Sequence, residues 1–199
     1  AQLIVSHHPV IFHPLKRLRP EEVPARLIQN GIAALCAHTN LDLAPGGVNT
    51  CLAQALGLSD CTAFQTYRNT GLAEGLLGVL DEPLSPQDFA KRVRERLHTG
   101  GVRYTPGSRE IRRVAVVGGA GSGLLFAAAD SGADAFVTGE SKHHEWLAAR
   151  DMGITMVDAG HFPTEDVVIL PLIEKLRRAF PAVSFQKSKH TDPVCYCTE

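Results

Sequence analysis

Residues 113–138 constrain this chain most, because an apolar run, a glycine-rich turn, a helix-forming segment and a second apolar run follow one another there. Residues 113–118 read as a strand, 119–123 as a tight turn, 124–131 as a helix and 133–138 as a strand. A helix between two strands of one sheet carries the chain back along the sheet, so the strands lie parallel and the unit is βαβ. That makes the fold class α/β. Three more short apolar runs, 1–6, 32–37 and 153–159, stop at polar residues followed closely by proline or glycine, as buried strands do at their ends. Laid over one another, 133–140 matches 1–8 and 153–161 matches 31–39, so the chain reads as two similar halves, 1–70 and 71–199. Nothing before Ala1 plays the part that 113–131 plays in the second half, and Ala1 stands inside a strand pattern. The first half is therefore expected to lack its opening strand and helix, and to expose an apolar edge prone to association.

Candidate chemistry sits where these runs end. The first stops at Ser6-His7-His8-Pro9, the second is followed by Thr39-Asn40-Leu41-Asp42, and the third leads into Gly160-His161-Phe162-Pro163-Thr164-Glu165. Adjacent strand residues face opposite ways, so His7 and His8 can converge only if the strand has already ended, which Pro9 favours. Asp42 is expected in a loop running into Pro45-Gly46-Gly47. Pro163 suits a first helical turn, so Glu165 should lie about one turn from His161. Three imidazoles and two carboxylates form a donor set for first-row divalent metals. All five lie past strand ends, where α/β sheets place their binding crevices. Each residue alone also fits turn chemistry or a helix start. It is their joint occurrence in three separate segments that points to a two-metal site.

These segments, with His38 before Thr39, Pro45-Gly46-Gly47-Val48-Asn49, Thr138-Gly139-Glu140 and Asp158-Ala159-Gly160, resemble the Nif-three-like family, whose members are often labelled GTP cyclohydrolase 1 type 2 homologues. The likeness follows the family's order over nearly the whole chain. It implies that His7, His8, Asp42, His161 and Glu165 are dinuclear metal ligands, that the two α/β halves are intertwined, and that the protein assembles as a toroidal homohexamer. It also implies a hydrolase acting on a purine nucleotide, although no residue here reads guanine.

Composition excludes little but sets limits. A net charge of −1 over 199 residues gives no general reason to expect nucleic acid or a membrane surface as partner. No apolar segment is long enough to span a bilayer, and no basic-then-apolar leader is present. Cys36, Cys51, Cys61, Cys195 and Cys197 are an odd set without Cys-x-x-Cys spacing, which fits a reducing cytoplasm better than a disulfide framework.

Several residues carry two readings. His38 is close enough in sequence to support the ligands from behind, or it is a buried histidine bonded to backbone. Gly118-Gly119-Ala120-Gly121-Ser122-Gly123 matches neither the dinucleotide fingerprint nor a phosphate loop. It is either a tight turn or an anion-accepting wall in which Gly119, Gly121 and Ser122 face the substrate. Glu140 and His144 are candidates for general acid and base, against the alternative of a charged helix start. His144-Glu145 is not a zinc-protease motif, since Ala148 stands where the second histidine must be. The basic loop with His13, Lys16, Arg17 and Arg19 reads either as a guide for an anionic substrate or as an ordinary solvated loop, and Cys195-Tyr196-Cys197 either as a metal-binding pair or as two thiols without a role.

Helices are expected over 21–30, 47–56, from 86 after the Ser85-Pro86-Gln87-Asp88 start signal, and over 166–180 with a kink or a break at Pro171. Residues 72–80 read as an edge-like strand weakened by glycine, and 182–186 as a terminal strand. The functional expectation is metal-assisted hydrolysis with two divalent ions, zinc, iron or manganese, acting on a small phosphorylated substrate. A non-catalytic metal-binding protein and a regulatory interaction factor are the alternatives.

Overall fold

The computed structural model describes residues 1–197, and its chain divides into two compact units, Ala1–Asp42 and Leu43–Glu199. The class is α/β in both.

In the first unit, β1 (Leu3–Ser6) pairs in parallel with β2 (Ala33–Cys36), with Leu3 opposite Ala33 and Ser6 opposite Cys36. The connection is α1 (Val23–Gln29), which has proline in its first turn and closes before Gly31 at φ +61°. The strands were expected to be buried, yet Leu3 is 48% and Leu35 52% exposed, because two strands cover little of each other's faces. Asp42 also departs from its expected loop. It ends a single helical turn, α2 (Thr39–Asp42), where the His38 carbonyl accepts the N–H groups of Leu41 and Asp42.

The second unit is built on a six-stranded sheet. Its elements in chain order are α3 (Val48–Leu56), β3 (Ser59–Thr66), β4 (Ala73–Leu84), α4 (Pro86–Arg96), β5 (Arg103–Thr105), β6 (Ile111–Val116), α5 (Leu125–Asp130), β7 (Ala135–Thr138), α6 (His143–Met152), β8 (Thr155–Asp158), α7 (His161–Asp166) and α8 (Ile169–Ala179). The strands lie in the order β3-β4-β6-β7-β8-β5. The three central neighbours β6, β7 and β8 run parallel, while β4, β3 and β5 join antiparallel. The βαβ unit anticipated from 113–138 is therefore the middle of the sheet.

Alternation along β6 sorts the core. Val114 and Val116 point to one face, where Leu52 and Leu56 of α3 and Phe89 and Val93 of α4 cover them. Ala115 points to the other, against Leu125 and Ala128 of α5 and Ala149 of α6. Because helices cover both faces, β7 and β8 are buried along their whole length, which is why they read as continuous apolar runs. Ser85 caps α4 as its sequence predicts, its Oγ accepting the Asp88 N–H at 3.1 Å.

Three expectations need correction. Residues 73–84 are not an edge, since β4 pairs with β3 on one side and β6 on the other. Its glycines make room rather than weaken it, as a Cβ at Gly75 would meet the Phe64 ring at 2.3 Å. The helical break falls before Pro171, between α7 and α8, so Pro171 lies in the first turn of α8, where its missing N–H has no partner to lose. Residues 182–186 form no strand; the Phe180 carbonyl accepts the Val183 N–H, and Arg177 donates to the Phe185 carbonyl at 2.7 Å.

Candidate metal centre

In the second unit the C-terminal ends of the three parallel strands supply three loops. The glycine turn follows β6, Gly139-Glu140-Ser141 follows β7, and Ala159-Gly160 leads from β8 into α7. Gly160 adopts φ +89°, which lets the chain turn from strand to helix within two residues. His161 and Glu165 then share one face of α7, with Nε2 and Oε1 3.0 Å apart. On the other side of the ring, Nδ1 donates to Glu140 Oε1 at 2.6 Å. The pKa of His161 is raised to about 9, first by its hydrogen bond to Glu165, against the opposing effect of burial, and then by the Glu165 charge and by the bond to and charge of Glu140.

Thr164 ties this helix to the sheet. Its buried hydroxyl accepts the Gly119 N–H at 3.1 Å and has the carbonyl oxygens of Gly160 and His161 within 2.9 Å and 2.8 Å. Thr138 makes the matching bond from β7, accepting the Gly121 N–H and donating to the Gly119 carbonyl, both at 3.1 Å. The Gly118 N–H goes to Asn49 Oδ1 at 2.9 Å. Three N–H groups of the glycine turn are thus engaged by the protein's own side chains. What the turn supplies at the site is space: a Cβ on Gly119 would lie 2.3 Å from Glu165 Oε1 and 3.2 Å from His161 Nε2. Ser122 is buried in the short 3-10 turn that precedes α5.

The first unit repeats the pattern with different residues. The chain turns immediately after β1, where Ser6 Oγ donates to the His8 carbonyl at 2.7 Å. This brings the rings of His7 and His8 to 5.0 Å between centroids. His7 Nδ1 donates to the Ala37 carbonyl at 2.8 Å, and its Nε2 lies 3.4 Å from Asp42 Oδ1. The His38 ring packs 5.3 Å and 5.4 Å from those of His7 and His8. One donor nitrogen from each of His7, His8 and His38 falls within 4.8 Å of the others. Sequence reasoning had His38 behind the ligands or bonded to backbone, whereas here its ring joins them. The His38-Thr39-Asn40-Leu41-Asp42 spacing carried that signal, since one helical turn returns residue 42 to the side of 38.

Imidazole nitrogen and carboxylate oxygen are the donors that first-row divalent cations take. Two atoms each about 2.1 Å from one ion are separated by about 3.0 Å at a right angle and about 3.4 Å at a tetrahedral angle. Both imidazole–carboxylate pairs lie at such separations, so the residues fit a metal within each unit. Without metal, a proton between His161 and Glu165 fills the same role, which is what the raised pKa expresses. His144 stands apart in character: its side chain is 74% exposed at the start of α6, 4.0 Å from Glu145 Oε1. Glu145 itself turns back to accept the Lys142 N–H at 2.6 Å.

A sequence profile of the Duf34/NIF3 (NGG1p interacting factor 3) family matches residues 1–193. A Nostoc protein named GTP cyclohydrolase 1 type 2 homolog is 38% identical over 184 residues, covering 89% of this chain and 70% of its own. Among solved structures, a Staphylococcus aureus hypothetical protein superposes with a TM-score of 0.90 at 28% identity, over 98% of this chain and 80% of that one. A Bacillus cereus protein related to NIF3 shares the fold with a TM-score of 0.90 at 24% identity, over 99% of this chain and 84% of its own.

Proposed function

The chain belongs to the Duf34/NIF3 family, and from that premise we propose that it is a dinuclear metal-binding protein acting as a metal-dependent hydrolase on a nucleotide or related small phosphorylated substrate. His7, His8, Asp42, His161 and Glu165 are its proposed ligands, with His38 beside them. The observation that carries the reading is the repeated arrangement of an imidazole whose Nδ1 is held by an oxygen and whose Nε2 lies against a carboxylate, in His7 with Asp42 and in His161 with Glu165. When bound, a pair of divalent cations supplies Lewis-acid charge and a water acidic enough to attack near neutral pH.

The protein's own residues would do the rest. Asp42 and Glu165 would each offer carboxylate oxygens to a bound ion, beside His7 and His161 respectively. Gly119 leaves Glu165 the room its carboxylate occupies. Of the two proton-transfer candidates, Glu140 is engaged with His161, whereas the His144 ring is exposed. The name of the Nostoc relative favours a purine nucleotide as substrate. The five cysteines are all thiols, which favours a reducing compartment, and a ring-like homohexamer completes the proposal by family likeness. Among the described residues no helix is long and apolar enough to cross a membrane.

Elemental analysis of protein purified without added metal, run beside a hydrolysis panel of nucleotides and phosphoesters, tests this. Two metals per chain and turnover lost in Asp42→Ala and Glu165→Ala are expected. Bound metal without turnover would leave a metal-binding protein, and absence of metal uptake would overturn the proposal.

A further inference from the structure

Glu140 reaches His161 from the neighbouring strand end, and the loop that carries it is built to stay there. Gly139 packs so closely that a Cβ would meet His161 Cα at 2.8 Å and Thr164 Oγ1 at 2.6 Å. The Gly139 N–H donates to the Gly119 carbonyl at 2.8 Å. On the far side, Ser141 Oγ donates to Asp158 Oδ2 at 2.6 Å, and the other oxygen of Asp158 accepts the Gly160 N–H at 3.1 Å. One buried carboxylate thus locks the Glu140 loop to Gly160, the residue just before α7. Between these two anchors Glu140 Oε1 takes the His161 Nδ1–H at 2.6 Å.

We infer that Glu140 is a positioning residue for the metal ligand His161, fixing its ring through Nδ1 so that Nε2 faces the Glu165 side, rather than a general acid or base. This deepens, and rests on, the metal-binding reading above. A carboxylate committed to an imidazole N–H fixes which nitrogen is left for a metal and raises its basicity. In the first unit the Ala37 carbonyl does this for His7, and a backbone carbonyl cannot act as an acid or base near neutral pH. The shared geometry is therefore that of ring orientation, and proton transfer is needed at neither position.

Zinc titration of metal-free protein by calorimetry tests the assignment in wild type, Glu140→Ala and Glu140→Gln. Glu140→Ala should bind zinc about 10–100-fold more weakly. Glu140→Gln, whose amide oxygen still accepts, should retain most of the affinity. In nitrogen NMR of the zinc-loaded proteins, the His161 Nδ1–H should exchange slowly in wild type and Glu140→Gln and rapidly in Glu140→Ala. Circular dichroism confirms that each variant is folded, which the exposed position of Glu140 favours. Equal affinity in wild type and Glu140→Ala, or Glu140→Gln as weak as Glu140→Ala, would overturn the positioning role. Failure of wild type to take up zinc would instead sink the metal reading, and this inference with it.

Discussion

His161 Nε2 and Glu165 Oε1 stand 3.0 Å apart on one face of a six-residue helix, a separation that suits a shared proton or a shared cation equally. What lies behind that pair, above all Gly119, decides whether the two groups can keep it.

Gly119→Ala should be severe. The position has φ +60°, which costs a residue with a side chain roughly 1–3 kcal/mol, and the new methyl would sit 2.3 Å from Glu165 Oε1. Urea denaturation should show that loss, and zinc calorimetry should show weakened uptake. Gly123→Ala, with open space around its Cβ, is the control and should match wild type. Equal behaviour of the two variants would refute the close approach.

Thr164→Val should destabilise the protein by about 1–3 kcal/mol, because the buried Gly119 N–H loses its acceptor while the side-chain volume is kept. Thr164→Ser retains the hydroxyl and should lose less. Chemical denaturation separates the two, and a Val variant as stable as the Ser variant would deny Thr164 its tie to the glycine turn.

The acid–base behaviour of His161 has a definite sign. Its folded pKa of about 9 lies above the ordinary value of 6.5. The protonated ring therefore stabilises the metal-free fold fully below about 6.5, and that contribution disappears as pH rises through about 9. A metal must displace this proton, so zinc affinity should fall about tenfold for each pH unit below 9 and binding should release a proton. Calorimetry in buffers of different ionisation heat measures that release. Uptake independent of pH across this window would contradict it.

Metal removal should lower the melting temperature, and returning zinc at 100 times its dissociation constant should restore about 2.7 kcal/mol per site. Glu165→Ala and His7→Ala should each reduce the zinc-dependent shift in differential scanning calorimetry. Full recovery in both variants would remove these residues from the ligand set.

Much of this architecture was legible along the chain because the signals are local. The run from 113 to 138 showed its βαβ order through apolar periodicity and glycine punctuation, and Ser85 announced α4 through a cap three residues from its partner. The imidazoles and carboxylates proposed as ligands, at 7, 8, 42, 161 and 165, stood out for the same reason, each lying just past an apolar run. Local signals also misled. The glycines of β4 looked like an edge because a sequence does not say that Phe64 needs the space at Gly75, and Pro171 looked like an interruption because a proline in a first helical turn and one inside a helix read alike along the chain.

The sequence by itself determined the α/β class, the βαβ unit over 113–138 and the kinds of polar group past the ends of the apolar runs. Only the tertiary structure decided which nitrogen of His161 is held, that Glu140 holds it, that His38 joins His7 and His8, and that Gly119 and Thr164 seat α7. The physical reason is range: periodicity and turn chemistry act over a few residues, whereas the Glu140–His161 bond spans 21 positions and the Gly119–Thr164 bond 45. Bonds of that reach exist only once buried strands have brought their ends together.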